Sequence, residues 1–512
     1  MFHELHTRSA FSFLSSGSMP QMLIGRAAAL GIPSVALLDR DTVAGAVRFH
    51  FEAKEHGIKP IIGAEITMDD GTLLPLVPMN LKGYRNLSRL ITTVKLRHKK
   101  GEHFATRKDI EQHSADLLCF TGGVDGFMAS SIRNGCGQAD LAWLNYVFER
   151  RLYVELQRHY LRSEEDINLR LLGLAHKLHV PVFASNGAYY ADEADRELFD
   201  VFTCIKNHCT IYNAGKLLSQ NSERYLKSEK QMRTLFEDHP DAIDRTSEIA
   251  ARVDFSMDEL SYNFPDYKVP PGETTDSVLR AKAIERSVER YRHCPWPLRS
   301  QVMSRLEKEF RVIEMKQLGG YFLMVSDILD FCRDHKILSQ GRGSAANSVV
   351  CYALGITAVE PIANKLLFER FLSETYEQYP DIDIDLPSGD DREKVIQHVY
   401  NKYGMRGAGM TANVICYRGK SALREVGKTF GFDDEMLGQL SKINSHYETF
   451  RDEELNRRLK EKGFDPADSF KLQKFSEMYS RILDYPRHLG QHSGGMVVSL
   501  DRLDGIVPIE PA

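Results

Sequence analysis

Three aspartates alternate with aliphatic residues in the segment PDIDIDL, which starts at Pro380. Successive side chains of a β-strand point to opposite faces, so Asp381, Asp383 and Asp385 are predicted to share one face. Aspartate is depleted in strands, and adjacent carboxylates repel each other unless a positive charge lies between them. Mg²⁺ is commonly bound by one or two carboxylates together with substrate phosphates. The pattern therefore favours a metal-binding strand over the alternative, a solvated edge strand.

A glycine-rich turn, GRGS from Gly341, precedes this acidic segment and leads into the apolar stretch Ala345–Leu354. We expect Ser344 to cap a short helix that Gly355 ends. Backbone N–H groups, a serine hydroxyl and the guanidinium of Arg342 together suit phosphate oxygens. An ordinary serine-capped loop has the same pattern. Beside the acidic strand, however, the turn indicates a minimal nucleotidyl-transfer site.

A basic stripe follows, in which Lys420, Arg424 and Lys428 recur every four residues and Arg418 stands just before them. Residues at this spacing share one helical face, and like charges there destabilise an isolated helix. An anionic partner would explain the stripe. A solvated face partly balanced by Glu425 explains it equally well.

Composition narrows the class of protein. The 512 residues carry 66 Lys plus Arg against 71 Asp plus Glu, for a net charge of −5, which excludes a binder made wholly of basic surface. The 42% hydrophobic and 27% charged fractions are typical of a soluble globular chain. Eight cysteines without a C-x-x-C pair argue against a zinc site or a disulfide framework. With no signal peptide and no apolar run near the ~18 residues of a membrane span, we expect a cytoplasmic protein.

The chain is long enough for roughly three domains. Strands and helices alternate up to about Glu248, as in MPQMLIGRAAALGIPSVALLDRD from Met19, which predicts a mainly parallel sheet or barrel. The Pro- and Gly-rich stretch Tyr262–Thr275 is predicted to be a linker. A helical, charge-rich region is expected from about Ala412 to Leu483, and a glycine turn followed by a strand from His492.

Taken together, the motifs resemble the N-terminal half of the bacterial C-family DNA polymerases, the replicative alpha subunit and its error-prone relatives. Two stretches, VELQRH from Val154 and GYRNLSRLIT from Gly83, look more like the error-prone branch. The most specific segments are GGYFLMVSDI from Gly319, GRGSAANS from Gly341, LLFERFL from Leu366, PDIDID from Pro380, REVGK from Arg424 and HSGG from His492.

The resemblance implies template-directed DNA synthesis, in which a deoxynucleotide is transferred from dNTP to a primer 3′-OH with two Mg²⁺ ions. It assigns Asp381 and Asp383 as the catalytic metal ligands and Asp385 as a less certain supporting residue. It further implies nucleotide binding by Arg342, Gly343, Ser344, Lys420 and Arg424, and binding of primer–template DNA by Arg418, Lys428, His492 and Ser493.

The implied fold is multidomain, α/β and α+β. A PHP-type distorted α/β barrel (1–250) and a linker (251–275) would precede a palm related to polymerase beta (276–411), a helical thumb (412–486) and a second part of the palm (487–512). The family's third catalytic aspartate is expected beyond Ala512. We therefore expect weak or no activity from this chain alone, whether it is a fragment or works with a separate C-terminal chain and, through it, a sliding clamp.

The family's PHP domain can bind metals, and this chain keeps part of that pattern. His6, Asp39, Glu65 and His159 match, whereas Arg8, Ser15, Arg40, Gly187 and Tyr189 stand where the family has further ligands. We expect the domain to be structural and free of metal. Two alternatives stay open: a PHP-type metal-dependent phosphoesterase or 3′–5′ exonuclease, and a non-catalytic DNA-binding assembly subunit.

Overall fold

The computed structural model describes residues 1–260, 267–374, 380–442, 450, 452–499 and 502–511. They form two compact units. The first comprises Met1–Ser261, Thr411–Gly494 and Asp504–Ala512, and the second comprises Tyr262–Met410 and Gly495–Leu503. The boundary at residue 261 falls beside the predicted linker, of which 262–266 lie outside the described residues.

The first unit contains a curled seven-stranded sheet whose spatial order follows the chain. Only β4 runs antiparallel to its neighbours, and all other adjacent pairs are parallel. Beyond the last strand, Ala188 forms a bridge with Thr7 of the first strand, so the sheet curls back towards its beginning. The predicted mainly parallel, barrel-type sheet is confirmed. Its strands are β1 (Glu4–Thr7), β2 (Ser34–Arg40), β3 (Lys59–Thr67), β4 (Leu73–Pro78), β5 (Leu117–Phe120), β6 (Leu152–Leu156) and β7 (Val182–Ala184).

Helices connect these strands. The predicted helix–turn–strand unit is present: proline starts the first helix, Gly31 ends it at φ +69°, and β2 follows. Leu23, Ile24 and Ala27 of this helix pack with residues of β2 in one buried cluster. The helices are α1 (Pro20–Leu30), α2 (Ala46–Glu55), α3 (Leu81–Arg97), α4 (Arg107–His113), α5 (Phe127–Arg133), α6 (Gly137–Phe148), α7 (Arg162–Leu178), α8 (Arg196–Lys206), α9 (Glu229–Leu235) and α10 (Pro240–Arg252).

The second unit is a helical layer with a short hairpin. The stripe Val302, Leu306, Phe310 and Ile313, at helical spacing in the sequence, is buried in its core. The elements are α11 (Thr275–Arg290), α12 (Trp296–Met315), α13 (Gly319–Asp334), β8 (Gln340–Arg342), α14 (Val349–Leu354), β9 (Asp383–Asp385) and α15 (Asp390–Tyr403). Strands β8 and β9 pair in antiparallel orientation.

Two long strands flank the remaining helices, and two sequence expectations need correction there. The helical stretch begins at Gly419 rather than Ala412, because residues 412–416 belong to a strand. The glycine turn predicted near His492 is wrong, since Gly494 and Gly495 lie inside a continuous strand. The elements are β10 (Ala408–Cys416), α16 (Gly419–Thr429), α17 (Asp434–Leu440), α18 (Asp452–Glu461), α19 (Phe470–Ile482) and β11 (Pro486–Val498), with β10 paired to β11.

Within the first unit, the helices after residue 418 share a hydrophobic core with α8. Phe202 of α8 is buried with Leu423 of α16 and Tyr479 of α19. The Tyr485 hydroxyl also donates a hydrogen bond to the Gly17 carbonyl at 3.1 Å. Among the helices that the structure describes, none combines the length and apolar character that a bilayer crossing requires.

Candidate functional site

The acidic segment forms one side of the β8–β9 hairpin in the second unit. Arg342 is the register partner of Asp383, and Gly341 is the partner of Ile384. Ile384 is half-buried against the core, whereas the side chains of Asp383 and Asp385 are 58% and 60% exposed. Asp381 is also exposed but precedes the strand, which begins at Asp383. The alternation predicted from sequence is therefore present, in a strand shorter than predicted.

Two glycines bring the GRGS turn close to these carboxylates. A Cβ on Gly341 would lie 2.4 Å from the Ile356 carbonyl oxygen, to which the Gly341 N–H donates at 2.7 Å. Gly343 has φ +70°, which disfavours other residues. A Cβ built on Gly343 would lie 3.9 Å from Asp383 Oδ2, so the turn and this aspartate face each other.

The helix after the turn differs from the sequence expectation. Residues Gly343–Asn347 form a 3₁₀ helix, and α14 begins only at Val349. Its N-cap is Ser348, whose hydroxyl accepts a hydrogen bond from the Cys351 N–H at 3.0 Å. The prediction that Ser344 caps this helix is wrong, because the 3₁₀ turn inserts before it. Gly355 ends α14 as predicted, at φ +83°.

A buried carboxylate that the sequence did not reveal anchors this turn. Glu309 of α12 is fully buried and accepts hydrogen bonds from the Ser348 hydroxyl at 2.8 Å and from the N–H groups of Val349 at 2.9 Å and Val350 at 3.0 Å. Burial raises the pKa of Glu309 to about 7, although these hydrogen bonds oppose the shift. The N-terminus of α14, next to the GRGS turn, is thus tied to α12.

The charge balance of the hairpin bears on metal binding. Arg342 Nε lies 3.1 Å from Asp385 Oδ1 and 3.8 Å from Asp383 Oδ2. Across the described ranges, no three His, Cys, Asp or Glu side chains converge into a set of metal ligands. Asp383 in the strand and Asp381 just before it are both exposed, and such a pair of carboxylates nevertheless fits Mg²⁺, which takes few protein ligands and completes its shell with water and phosphate oxygens.

The predicted basic stripe is exposed on α16 of the first unit. Lys420, Arg424 and Lys428 point to solvent, opposite the buried Leu423 and Val426. Of the three, only Lys428 forms an ion pair with a described residue, at 4.0 Å from Glu425 Oε1. Arg418 precedes the helix and pairs with Asp484. His492 and Ser493 are exposed on β11, and His492 Nδ1 accepts a hydrogen bond from the Gly494 N–H at 3.1 Å.

Buried ion pairs occupy the centre of the N-terminal barrel. His6 bridges two carboxylates, with Nε2 at 3.0 Å from Glu65 Oε1 and Nδ1 at 2.8 Å from Glu155 Oε1. Arg8 pairs with Glu65 through Nε and, at 2.8 Å, through Nη2. Burial opposes both charges, yet Glu155 and Glu65 raise the pKa of His6 to about 10, and Arg8 and His6 lower the pKa of Glu65 to about 2.

The other two family-type ligands are likewise engaged by protein. The Asp39 carboxylate accepts hydrogen bonds from the hydroxyls of Ser9 and Ser12, both at 2.7 Å, and burial raises its pKa to about 6. His159 Nδ1 lies 2.7 Å from Glu164 Oε1, and Nε2 lies 2.7 Å from the Asn186 carbonyl. Burial lowers the pKa of His159.

The residues that depart from the family pattern make contacts of their own within the protein. The guanidinium groups of Arg8 and Arg224 both lie over the Tyr189 ring, each 4.4 Å from its centroid. A Cβ on Gly187 would lie 2.4 Å from Gln157 Nε2. Of the predicted departures, Ser15 accepts a hydrogen bond from Lys206 at 2.9 Å and Arg40 donates one to Thr67 at 3.1 Å. Sequence reasoning named neither Glu155, although it lies in the VELQRH motif, nor Arg224, which nothing in the sequence distinguished.

Comparison with known proteins identifies two domains. Residues 4–159 match the PHP domain, and residues 277–512 match the Bacterial DNA polymerase III alpha NTPase domain. Error-prone DNA polymerases of Dechloromonas aromatica and Pseudomonas aeruginosa are each 37% identical over 100% of this chain and 48% of their own length. That of Pseudomonas syringae pv. tomato is 38% identical with the same coverage.

The chain thus spans about half the length of the curated relatives it matches. A solved amidohydrolase from Chromobacterium violaceum covers 38% of this chain and 89% of its own, at 15% identity and a TM-score of 0.26, too remote to carry an argument. The two domain matches cover residues 4–159 and 277–512, and the relatives align with the whole chain. By sequence, this chain is therefore a relative of the N-terminal half of the bacterial C-family DNA polymerases, with a PHP domain followed by the polymerase III alpha domain.

Proposed function

We propose that this chain supplies the metal- and triphosphate-binding part of a template-directed DNA polymerase of the error-prone, DNA-repair branch. The observation that carries the proposal is the β8–β9 hairpin, in which Asp383 faces the phosphate-type turn at Gly343. Relatives along the whole chain are named error-prone DNA polymerases. The proposed reaction is DNA synthesis, with dNTPs and primer–template DNA as substrates.

The residues have separate roles in this proposal. Asp381 and Asp383 hold Mg²⁺, and Asp385 supports them through its ion pair with Arg342. When bound, the two ions stabilise charge on the attacking and leaving oxygens of phosphoryl transfer. The N–H groups of the turn and the Ser344 hydroxyl bind the triphosphate, because donors fixed in advance lose little freedom on binding. Arg342 is exposed, so its guanidinium can turn from the aspartates to a phosphate.

Nucleic-acid binding is assigned to the exposed face of α16. The family resemblance assigns Lys420 and Arg424 to nucleotide binding, but we place them with Lys428 at the DNA backbone, because all three share one exposed helix face. Lys420 and Arg424 also form no ion pair with any described residue, which leaves their charges available to phosphates. Arg418, His492 and Ser493 stay in the proposal as further contacts. We further propose that the helices from α16 to α19 act as the thumb of the polymerase and that the second unit acts as its palm.

The PHP domain is proposed to be structural. Charged groups of the protein already pair where metal would bind: His6 with two carboxylates, and Arg8 with Glu65. A cation at this centre would have to displace these pairs. It would also be repelled by the guanidinium groups of Arg8 and Arg224, which lie over the Tyr189 ring. This argues against the phosphoesterase or exonuclease alternative. The non-catalytic DNA-binding alternative predicts no Mg²⁺-dependent binding of dNTP, so a dNTP-binding measurement distinguishes it from the polymerase proposal.

The test is Mg²⁺-dependent dNTP binding, measured by calorimetry on the 512-residue chain. Asp383→Asn should weaken binding at least tenfold in Mg²⁺, because it removes a metal ligand without changing the shape of the side chain. The matched control is Asp69→Asn, at an exposed aspartate of the first unit. Equal binding by wild type and Asp383→Asn would refute the site. DNA binding without any Mg²⁺-dependent dNTP binding would favour the non-catalytic alternative.

A further inference from the structure

One of the two tryptophans of the chain is largely exposed to solvent. Trp296 starts α12 and is 71% exposed, whereas Trp143 is half-buried and donates a hydrogen bond to Glu111 at 2.8 Å. Tryptophan is enriched among the residues that carry most of the binding energy at interfaces, and exposing it costs hydrophobic free energy. Trp296 belongs to the second unit and, along the sequence, is separated from the β8–β9 hairpin by α13.

Two prolines restrict the backbone around Trp296. Pro295 is the N-cap of α12 and Pro297 lies in the first turn, so the backbone on both sides of Trp296 has a restricted φ. The Pro295 carbonyl accepts hydrogen bonds from the N–H groups of Leu298 at 3.0 Å and Arg299 at 3.1 Å. A backbone restricted in this way has less conformational entropy to lose when a ligand stacks on the ring.

Arginines precede and follow Trp296 in the sequence, and one of them lies beside the ring. The Arg299 guanidinium lies 5.8 Å from the Trp296 ring centroid. Arg292 Nε donates to His293 Nε2 at 3.3 Å, and neither arginine forms an ion pair with a described residue. The first turn of α12 has neither an acidic residue nor a capping side chain, so its N-terminal partial charge is also uncompensated. The nearest acidic residue along the chain is Glu289, on the preceding helix.

We propose that Trp296, Arg299 and Arg292 form a binding platform for single-stranded nucleic acid, separate from the duplex-binding face of α16. An unpaired base stacks on the indole, and the adjoining phosphates bind the two arginines and the N-terminus of α12. Every base has a π face, so the platform should show little sequence preference. An acidic protein segment would satisfy the arginines but would not stack on the ring.

The platform does not depend on the nucleotidyl-transfer assignment, because it shares no residue with it. It would hold a strand that is unpaired, whereas the α16 stripe meets the backbone of a duplex. Opposing charges are also few: Glu285 and Glu289 on α11 are the exposed carboxylates nearest to the platform along the chain. Both precede the turn that leads to Trp296.

The chain offers a direct optical test because it has only two tryptophans. In a Trp143→Phe chain, all tryptophan emission comes from Trp296. Titration with a twelve-nucleotide thymidine oligonucleotide at low salt should quench that emission. The quenching at a given oligonucleotide concentration should decrease as the salt concentration rises. Trp296→Ala should weaken binding of a labelled oligonucleotide about 5- to 150-fold, from the ~1–3 kcal/mol of one stacked base. Arg292→Ala and Arg299→Ala should each weaken binding and reduce its salt dependence.

Controls separate this site from other sources of binding. Tyr146→Ala removes an aromatic side chain that is 84% exposed elsewhere and should change nothing. Asp383→Asn, and charge reversal of α16, should leave the quenching intact. Unchanged affinity in Trp296→Ala would overturn the proposal without touching the polymerase assignment. Equal quenching by an abasic oligonucleotide or by polyglutamate would also overturn it, since neither can stack a base.

Discussion

Arg342 and Asp385 form an ion pair across the β8–β9 hairpin, with Nε and Oδ1 3.1 Å apart. The same guanidinium lies 3.8 Å from Asp383, so it occupies the carboxylate face that Mg²⁺ would use. Arg342→Gln should therefore have two opposite effects. Mg²⁺ alone should bind more tightly, because a competing cation is gone, whereas dNTP in the presence of Mg²⁺ should bind several-fold more weakly, because no guanidinium is left to bind a phosphate.

Calorimetric titrations of Mg²⁺ alone and of dNTP with Mg²⁺ measure the two effects of Arg342→Gln. The control is Arg170→Gln, at an exposed arginine of α7 without an ion pair to a described residue. A change of the same sign in both titrations would contradict the idea that Arg342 exchanges between aspartate and phosphate.

The ion pairs at the barrel centre should contribute strongly to stability. Arg8→Ala leaves Glu65 buried beside His6 without its guanidinium, a change that costs ~3–5 kcal/mol in other buried pairs. Urea denaturation followed by circular dichroism measures the loss. Arg8→Met combined with Glu65→Gln should recover much of it, because neither charge is then left alone. Zn²⁺ should not raise the melting temperature of the wild type, and a rise abolished by His6→Ala would contradict a structural PHP domain.

Glu309 should make stability depend on pH. Its pKa is raised from 4.5 to about 7 in the folded protein, so folding favours the protonated form. Stability from this group is present below pH 4.5 and is lost as pH rises through about 7, by at most about 3 kcal/mol. Glu309→Gln cannot ionise, so the denaturation midpoints of wild type and variant should converge or cross between about pH 5 and pH 8. The pKa values of Glu4 and Asp39 are also raised, but both groups are present in wild type and variant, so their contributions cancel in the comparison.

The core shared by α8 and the helices from α16 onwards predicts cooperative unfolding of the first unit. Phe202 is 2% exposed, with its ring 6.3 Å from Tyr417 and 5.6 Å from Tyr485. Phe202→Ala should cost ~3–5 kcal/mol and lower the unfolding midpoint of barrel and helices together. Calorimetry checks this, with Tyr146→Ala as the exposed-aromatic control. Separate transitions, of which only one moves, would show that the two parts fold independently.

Sequence patterns predicted the elements whose local signals are strong. Proline at the start of α1 and Gly31 after it marked a helix, and the alternation in PDIDIDL placed the aspartates on the exposed side. Ser344 failed as a helix cap because two serines follow the same glycine turn, and only tertiary packing decides that Ser348 caps α14. Gly494 and Gly495 look like a turn locally, yet pairing with β10 keeps them in a strand.

Long-range partners were beyond local patterns. His6 and Glu65 were recognised through the family pattern, but their charges are set by Glu155 and Arg8, which the fold brings from other parts of the chain. Glu309 lies in an ordinary helical stripe, and its contact with α14 has no sequence signature. Such contacts determine the pKa values of the groups and the rigidity of the site. The sequence therefore indicates which groups a site contains, but not their charge states or how firmly they are held.

The exposed face of α16 leads to a quantitative prediction about salt. Lys420, Arg424 and Lys428 lie on one face of the helix at successive turns, and each can neutralise one phosphate of duplex DNA. Removing one of these cations should reduce the slope of log affinity against log salt by about 0.9, so the triple glutamine variant should have a slope smaller by roughly 2.7. Fluorescence anisotropy with a primer–template duplex at several salt concentrations measures this slope. The matched control replaces three exposed cations of the barrel helices, Lys108, Arg170 and Lys230, with glutamine and should leave the slope unchanged. An equal reduction in both variants would show that net charge alone attracts DNA and would remove α16 from the proposed duplex interface.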